Sequence, residues 1–389
     1  MKKLLFASLL VSLFALLMPT PVSASVLRQD ITPCPTDVPI PQSTGCLPFE
    51  STYQLHRMLE MGKFFFEEPL PTSSPDVALT ALPFYYARVN TANAPIFASP
   101  EDAAAGKPVF STIPITENGL GFVTYTDVQE VNGKNYYMIE FGQWMRRGDI
   151  SPNQIYSQFT GLQFTATSAR PFGWMVDLQV IGQVQARKAP RLTAALGERF
   201  YNQDQVVQVY ETREVDGLIW YKVGPDLWFE ARQLHLVFPN TTPPEGVENG
   251  RWIEVNLEQQ TLSVYQDNQL VYATLIATGV DGVWTRPGLF QIYEALESTP
   301  MRGAFEADRS DFYYLEDVPW TLYFDEARAL HGAYWRARLG FVQSHGCVNL
   351  TVTDSHWIFN WATEGDWVWV HDPSGRTPED PSLYSAGGA

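Results

Sequence analysis

Six consecutive residues, Ser344-His345-Gly346-Cys347-Val348-Asn349, with His331 sixteen positions before the cysteine, bring together a thiol, two imidazoles and a glycine turn. A free cysteine thiol titrates near about 8.5 and is mostly protonated at neutral pH, so a nucleophilic cysteine needs a base or a cation beside it. His331 can supply either. Gly346 lets the backbone amides of Gly346 and Cys347 converge on one point, as an oxyanion hole requires. A zinc site is disfavoured, because His345 and Cys347 are too close in sequence for usual ligand spacing and no second cysteine lies nearby.

Short strands must hold these residues. His331 follows the apolar stretches Leu322-Tyr323-Phe324 and Ala329-Leu330 and precedes Gly332, which places its side chain near a strand end. His345, two residues before the cysteine, points the same way in an extended strand; orientation of the site and packing are both open for it. Upstream, Ile253, Val255 and Leu257 alternate with polar neighbours, as do Leu262 and Val264, and Asp267-Asn268 makes a turn before the run Leu270 to Ile276. Downstream, Thr353 is expected to cap a helix with Trp357, Ile358 and Trp361 on its inner face. His56, His235, His356 and His371 are read as lying outside the chemistry.

Composition agrees with a strand-rich chain of two or three domains. Its 389 residues are 45% hydrophobic and 14% aromatic, enough to bury sizeable cores. Charged residues make up only 18%, while Pro (28) and Gly (27) are plentiful, which favours strands and turns over long helices. Lys2-Lys3, an apolar run from Leu4 to Met18 and the small residues Val22-Ser23-Ala24 predict an export signal over 1–24, cleaved after Ala24. That run is short of the roughly 20 residues that span a bilayer, and no later stretch is apolar enough to cross one. The expected location is therefore the cell envelope or the extracellular space. Cleavage removes Lys2 and Lys3 and no acid, making the formal net charge of −17 still more negative. So acidic a surface argues against nucleic-acid partners. Oligomeric state is not legible.

Cys34 and Cys46 lie among Pro33, Pro35, Pro39, Pro41 and Pro48, where a disulfide would brace a segment, 25–80, with little core of its own; two free thiols is the alternative. Cys347 is then the odd cysteine, which in an exported protein is an intermolecular link or a reactive thiol. Ser51 and Gln54, with capping-box spacing ahead of Leu55, Met58 and Leu59, predict a helix.

Two middle segments repeat each other. Glu130-Val131-Asn132-Gly133-Lys134-Asn135-Tyr136-Tyr137 returns as Glu214-Val215-Asp216-Gly217-Leu218-Ile219-Trp220-Tyr221, and Trp144 returns as Trp228 at the same offset of 84 residues. Asn-Gly and Asp-Gly between alternating apolar residues predict hairpins with type I′ turns. Ala87-Arg88 and Ala186-Arg187 open the two copies. The pattern resembles the small SH3-like β-barrels of bacteria, over residues 81–155 and 160–240, which in exported proteins often bind cell wall; here they either do so or act as spacers. Pro239 to Gly250 reads as a linker before residues 250–371, with 372–389 as a tail.

His331 followed by Ser344-His345-Gly346-Cys347-Val348-Asn349 resembles the signature of the L,D-transpeptidase (YkuD-like) catalytic domain: a histidine, then Ser/Thr-His-Gly-Cys-hydrophobic-Asn. The resemblance runs from Trp252-Ile253-Glu254-Val255 to Trp367-Val368-Trp369-Val370-His371 and takes in Val318 to Phe324 and His331 to Trp335. One departure is that the family's Thr-Pro-x-Gly turn stands here as Thr285-Arg286-Pro287-Gly288, with the proline shifted by one place. The implied fold is mainly β: an L,D-transpeptidase-type β-sandwich with a short helix, preceded by two SH3-like β-barrels.

What the resemblance implies is acyl transfer on peptidoglycan stem peptides. Cys347 attacks the carbonyl of the third stem residue, usually a diamino acid, and expels the terminal D-alanine to give a thioester, which the side-chain amine of a second stem resolves into a 3-to-3 cross-link. His331 accepts and returns the proton, oriented through its other ring nitrogen by a backbone carbonyl near Gly332. Ser344, His345, Gly346 and Asn349 shape the pocket, with Trp320, Tyr323 and Tyr334 as candidate substrate-side residues. No metal or organic cofactor is required. Two alternatives stay open: an L,D-carboxypeptidase, in which water replaces the amine, and a non-catalytic wall-binding protein, against which the intact Cys347 and His331 argue.

Overall fold

Strand dominates, as the composition predicts, and two seven-stranded sheets carry the candidate site. The computed structural model describes residues 69–384 apart from 83, 108–110, 116–118, 153–155, 177–181 and 305–307. The expected export signal, the Cys34–Cys46 pairing and the helix behind Ser51 lie outside the described residues.

The first repeat copy contributes β1 (Tyr85–Val89), β2 (Leu120–Tyr125), β3 (Asp127–Val131), β4 (Lys134–Glu140) and β5 (Ile150–Pro152). A short strand, β6 (Leu162–Phe164), follows, and the second copy forms the hairpin β7 (Glu211–Val215) to β8 (Leu218–Gly224). Both expected I′ turns are present. Asn132 and Gly133 have φ of 53° and 73°, Asp216 and Gly217 of 55° and 74°, so both central residues of each turn are left-handed. Behind the turns, Tyr136 and Trp220 are buried at matching positions, as are Trp144 and Trp228.

The C-terminal part supplies β9 (Trp252–Asn256), β10 (Thr261–Gln266), β11 (Gln269–Leu275), β12 (Gly288–Gln291), β13 (Glu294–Gly303), β14 (Tyr313–Asp325), β15 (Arg328–Gly332), β16 (Val348–Leu350), helix α1 (Val352–Trp361) and β17 (Trp367–His371). One sheet runs Thr72–Ser73, β6, β11, β10, β9, β17, β12; the other runs β16, β15, β14, β2, β1, β5, with β13 also paired to β14. Period-two alternation turns Ile253, Val255, Leu262 and Val264 to one face of the first sheet. They meet Leu322, Phe324, Leu330 and Val348 of the second sheet and Ile358 of α1, which makes a sandwich core.

Helix α1 is capped by Thr351 and not by the expected Thr353. Thr351 has extended φ and ψ (−64°, 161°), and its hydroxyl accepts from the Asp354 amide at 3.0 Å, whereas Thr353 already lies inside the helix. The fully buried Asp354 carboxylate accepts from Thr274 Oγ1 (2.5 Å), Tyr272 OH (2.7 Å) and the Gly161 amide (2.8 Å), fastening the helix to β11. No helix among the described residues is long and apolar enough to cross a membrane.

The two copies join the C-terminal sheets differently. In the first, β2 pairs in parallel with β14, Leu120 opposite Tyr313 and Phe122 opposite Leu315, so the copy extends the second sheet through backbone hydrogen bonds. Tyr86 stacks on Tyr334 with ring centroids 3.6 Å apart, and its hydroxyl donates to the Asp317 carbonyl at 2.8 Å. The second copy keeps β7 and β8 in a separate sheet around its own core of Ala186, Tyr201, Tyr221 and Phe229. Its short strand β6 pairs with β11 near the edge of the first sheet, and Trp174 and Val237 pack against Trp252 and Tyr265.

Candidate active site

The parallel pairing of β15 with β16 brings the sequence motif together, setting His331 opposite Asn349. His331 is almost wholly buried. Its Nδ1 lies 3.4 Å from the Gly332 carbonyl, and its Nε2 accepts from Asn349 Nδ2 at 3.1 Å. Both ring nitrogens are thereby assigned: Nδ1 carries the proton and Nε2 presents a lone pair. Asn349 is held in turn by backbone exchange with Ala277 (2.8 and 3.0 Å) and by Arg336 Nε, which donates to Oδ1 at 3.2 Å.

Gly332 is closed to larger residues, since a Cβ there would meet Ser355 Oγ at 2.7 Å and Pro319 Cγ at 3.0 Å. Gly346 has φ of 113°, a conformation that L side chains rarely adopt. That turn is braced inside the motif: Ser344 Oγ donates to the Cys347 carbonyl at 2.5 Å and accepts from the Gly346 amide at 3.2 Å. The Gly346 amide, one of the two expected to form an oxyanion hole, is therefore already engaged. From outside, buried Thr285 donates through Oγ1 to the Gly346 carbonyl at 2.8 Å. The family's altered turn thus still anchors the cysteine loop through its threonine.

The Cys347 thiol donates to the Ala327 carbonyl at 3.7 Å. Burial pushes it up to about 11, only partly offset by a hydrogen bond at Ala329 and the positive charge of Arg328. Burial likewise holds His331 down to about 4, with the Arg336 charge adding to the effect and the Gly332 carbonyl opposing it. Both groups are neutral at pH 7, so the resting site holds thiol and imidazole and no ion pair. Beneath the loop, buried Asp325 joins Arg328 (3.0 Å) to Arg286.

Cys347, His331, His345, Ser344 and Asn349 line one cavity of about 50 Å³, room for a few waters. His345 forms part of its wall with its ring stacked on Tyr313, centroids 5.4 Å apart at 14°. Of the three substrate-side candidates, none lines this cavity. Tyr323 is half-buried against Tyr293, and burial raises its phenol. Trp320 stacks on His356 of α1 at 3.8 Å, and Tyr334 is fully buried under Tyr86. Asp317 and Trp320 both have positive φ (46° and 55°), which interrupts the alternation of β14, so counting by twos along it misplaces Trp320.

The residues in those places are Tyr313 and Leu315 of β14, Met301 of β13, Trp335, Arg336 and, from the first repeat copy, Leu120. Trp335 and Arg336 follow His331 closely enough to have been named. Leu120 carried no signal, because only the β2–β14 ladder brings it to the site. Among the described residues no group of three or more His, Cys, Asp or Glu is placed to hold a metal ion.

Residues 250–370 match the YkuD family, described as the L,D-transpeptidase catalytic domain. Among solved structures the chain is similar to an L,D-transpeptidase from Stackebrandtia nassauensis, with 26% identity over 34% of this chain and 60% of that one and a TM-score of 0.27. It is similar also to an Enterococcus faecium L,D-transpeptidase (24% identity, 32% of this chain, 50% of that one, TM-score 0.29) and to one from Mycobacterium smegmatis (15% identity, 56% and 93%, TM-score 0.30). The chain thus spans less than two thirds of the first two of these proteins. We find no match among curated proteins.

Proposed function

We propose, on the premise that residues 250–370 are an L,D-transpeptidase catalytic domain, that this chain is an exported cysteine acyltransferase cross-linking peptidoglycan stem peptides. The observation that carries the reading is the single cavity in which Cys347, His331 and Asn349 meet. In the first half-reaction the thiol leaves the Ala327 carbonyl, and its proton passes to His331 Nε2 as sulfur bonds the carbonyl carbon of the third stem residue. The C–N bond then breaks, and the imidazolium returns the proton to the departing D-alanine amine. In the second, an amine of another stem attacks the thioester; its proton travels through His331 to the leaving sulfur, restoring the thiol and forming the amide.

Burial disfavours thiolate and imidazolium alike, so in this reading proton transfer to His331 is coupled to attack. Asn349 must yield Nε2 at that moment, while the Gly332 carbonyl keeps Nδ1–H and the ring's orientation. The oxyanion would be met by the Cys347 amide.

The test is incubation of the mature protein with a disaccharide-tetrapeptide and mass analysis of the products. Cross-linked dimer is expected, and none from Cys347→Ala. Tripeptide without dimer would turn the assignment to a carboxypeptidase, and no product from the unaltered protein would remove the enzyme reading. We also propose cleavage after Ala24, a Cys34–Cys46 disulfide, and SH3-like barrels over 81–155 and 160–240. A secreted chain beginning elsewhere than Ser25, or one with free thiols at 34 and 46, would overturn the first two.

A further inference from the structure

Arg336 is a half-buried cation in the wall of the reactive cavity, and it has no acid beside it. Nε donates to Asn349 Oδ1 (3.2 Å), Nη1 to Gln343 Oε1 (3.4 Å) and Nη2 to the Gln343 carbonyl, all three acceptors being uncharged. No ion pair engages it among the described residues, although six other arginines have one. Burial lowers its pKa to about 10, with no carboxylate nearby to restore it.

Taking a guanidinium out of water without a counter-charge is costly. A guanidinium has five N–H donors, so two remain after these three hydrogen bonds. They sit on the two terminal nitrogens, the arrangement that suits a carboxylate. Arg336 is also the one Lys or Arg among the residues lining the cavity that holds the Cys347 sulfur.

We propose that Arg336 binds the terminal carboxylate of the donor stem and thereby selects donors that end in a free acid. This rests on the stem-peptide reading above. In such a donor the carboxylate lies one residue beyond the carbonyl that Cys347 attacks, and one residue spans at most about 3.6 Å, so its receptor must share the cavity with the sulfur. Aligning that carboxylate sets the scissile carbonyl over Cys347, and after cleavage the same contact holds the departing D-alanine. The cavity's small size fits this role, since only the end of a peptide need enter it.

The experiment compares two synthetic tetrapeptide donors, one ending in a D-alanine free acid and one in D-alaninamide, with release of the last residue followed by mass spectrometry. For the unaltered protein the acid should exceed the amide by about 10- to 100-fold in kcat/KM, the range expected for a hydrogen-bonded charge. Arg336→Gln should lower turnover of the acid, mainly through KM, by about tenfold more than turnover of the amide, any loss common to both donors reporting the support that Arg336 gives Asn349. Arg336→Lys should keep a reduced preference for the acid. A purely structural role would lower both donors together, so an acid-to-amide ratio unchanged in Arg336→Gln overturns the proposal, as does equal use of both donors by the unaltered protein. An unfolding midpoint in denaturant close to that of the unaltered protein certifies that a variant is folded; should Arg336→Gln not fold, the ratio in Arg336→Lys decides, and an undiminished ratio there sinks the idea. Turnover of neither donor by the unaltered protein would instead remove the stem-peptide reading, and this inference with it.

Discussion

Two segments of this chain share a sequence pattern and the same hairpin turn, yet they stand differently toward the chemistry. The first copy donates β2 to the ladder of β14 and places Leu120 in the wall of the reactive cavity. The second keeps its hairpin in its own sheet, joins the opposite sheet only through the short β6 beside β11 and through apolar packing and a few side-chain hydrogen bonds, and contributes nothing to the cavity lining. Local sequence similarity thus specifies a local fold and not its place in the whole. Backbone pairing with β14, the strand that walls the cavity, transmits position to the site, whereas pairing at the far edge of the other sheet and apolar packing transmit mainly stability.

The strongest challenge to this contrast is truncation of one large buried ring in each copy. Tyr86→Ala and Tyr201→Ala should each cost about 3–5 kcal/mol of stability in denaturant unfolding, as losses of buried aromatic groups do. Only Tyr86→Ala should also lower stem-peptide turnover, because it removes the support of Tyr334 and the tie to Asp317. Equal losses of turnover at temperatures where both variants are folded would dissolve the contrast.

Next in size is a pH effect shared between the regions. Burial lowers both His331 and, near the second copy, His235 to about 4, below their ordinary value of 6.5. The unfolded chain therefore binds more protons than the folded one between these limits, so stability falls as pH drops from 6.5 toward 4, by up to about 3 kcal/mol for each group. His235→Gln should flatten part of that slope without changing Cys347 alkylation, and His331→Gln should flatten another part. A slope unaltered in both variants would assign it to other groups.

A smaller effect concerns the sulfur. With Cys347 pushed up to about 11, iodoacetamide labelling should climb with pH well past 9 and show no plateau near neutrality. Leu120→Ala, which admits water to the cavity, should lower that pKa and speed labelling at pH 8 on the order of tenfold, one pKa unit. Val207→Ala in the second copy's core should leave it unchanged. The least effect is expected at the turns, where Gly133→Ala and Gly217→Ala meet no neighbouring atom and cost only the left-handed backbone, about 1 kcal/mol each by thermal unfolding, with turnover unaffected.

Much of the molecule could be read from residue types at short range. Both I′ turns, the Asp267-Asn268 turn (φ 52° and 58°), the alternating strands of the sandwich and the pairing of His331 with the Gly332 carbonyl are local consequences of local sequence. The substrate-side residues could not be read in the same way. Trp320 and Tyr334 are aromatic and near the motif, but left-handed residues in β14 turn one toward α1 and a stack under Tyr86 removes the other. Thr285 was visible only as part of a shifted turn; its hold on the Gly346 carbonyl spans a sequence separation of 61 residues.

What residue order alone carried was the chemistry: a cysteine in a glycine turn, a histidine at a strand end and an asparagine two places after the thiol, because side-chain reactivity and backbone freedom belong to the residues themselves. What waited for the folded chain was the environment. That Cys347 and His331 rest uncharged, that Arg336 lies beside them without an acid, and that a leucine from a distant repeat closes the cavity all follow from which strands pair and which groups lose water. Pairing partners and burial are properties of chain segments far apart in sequence, and no short stretch encodes them.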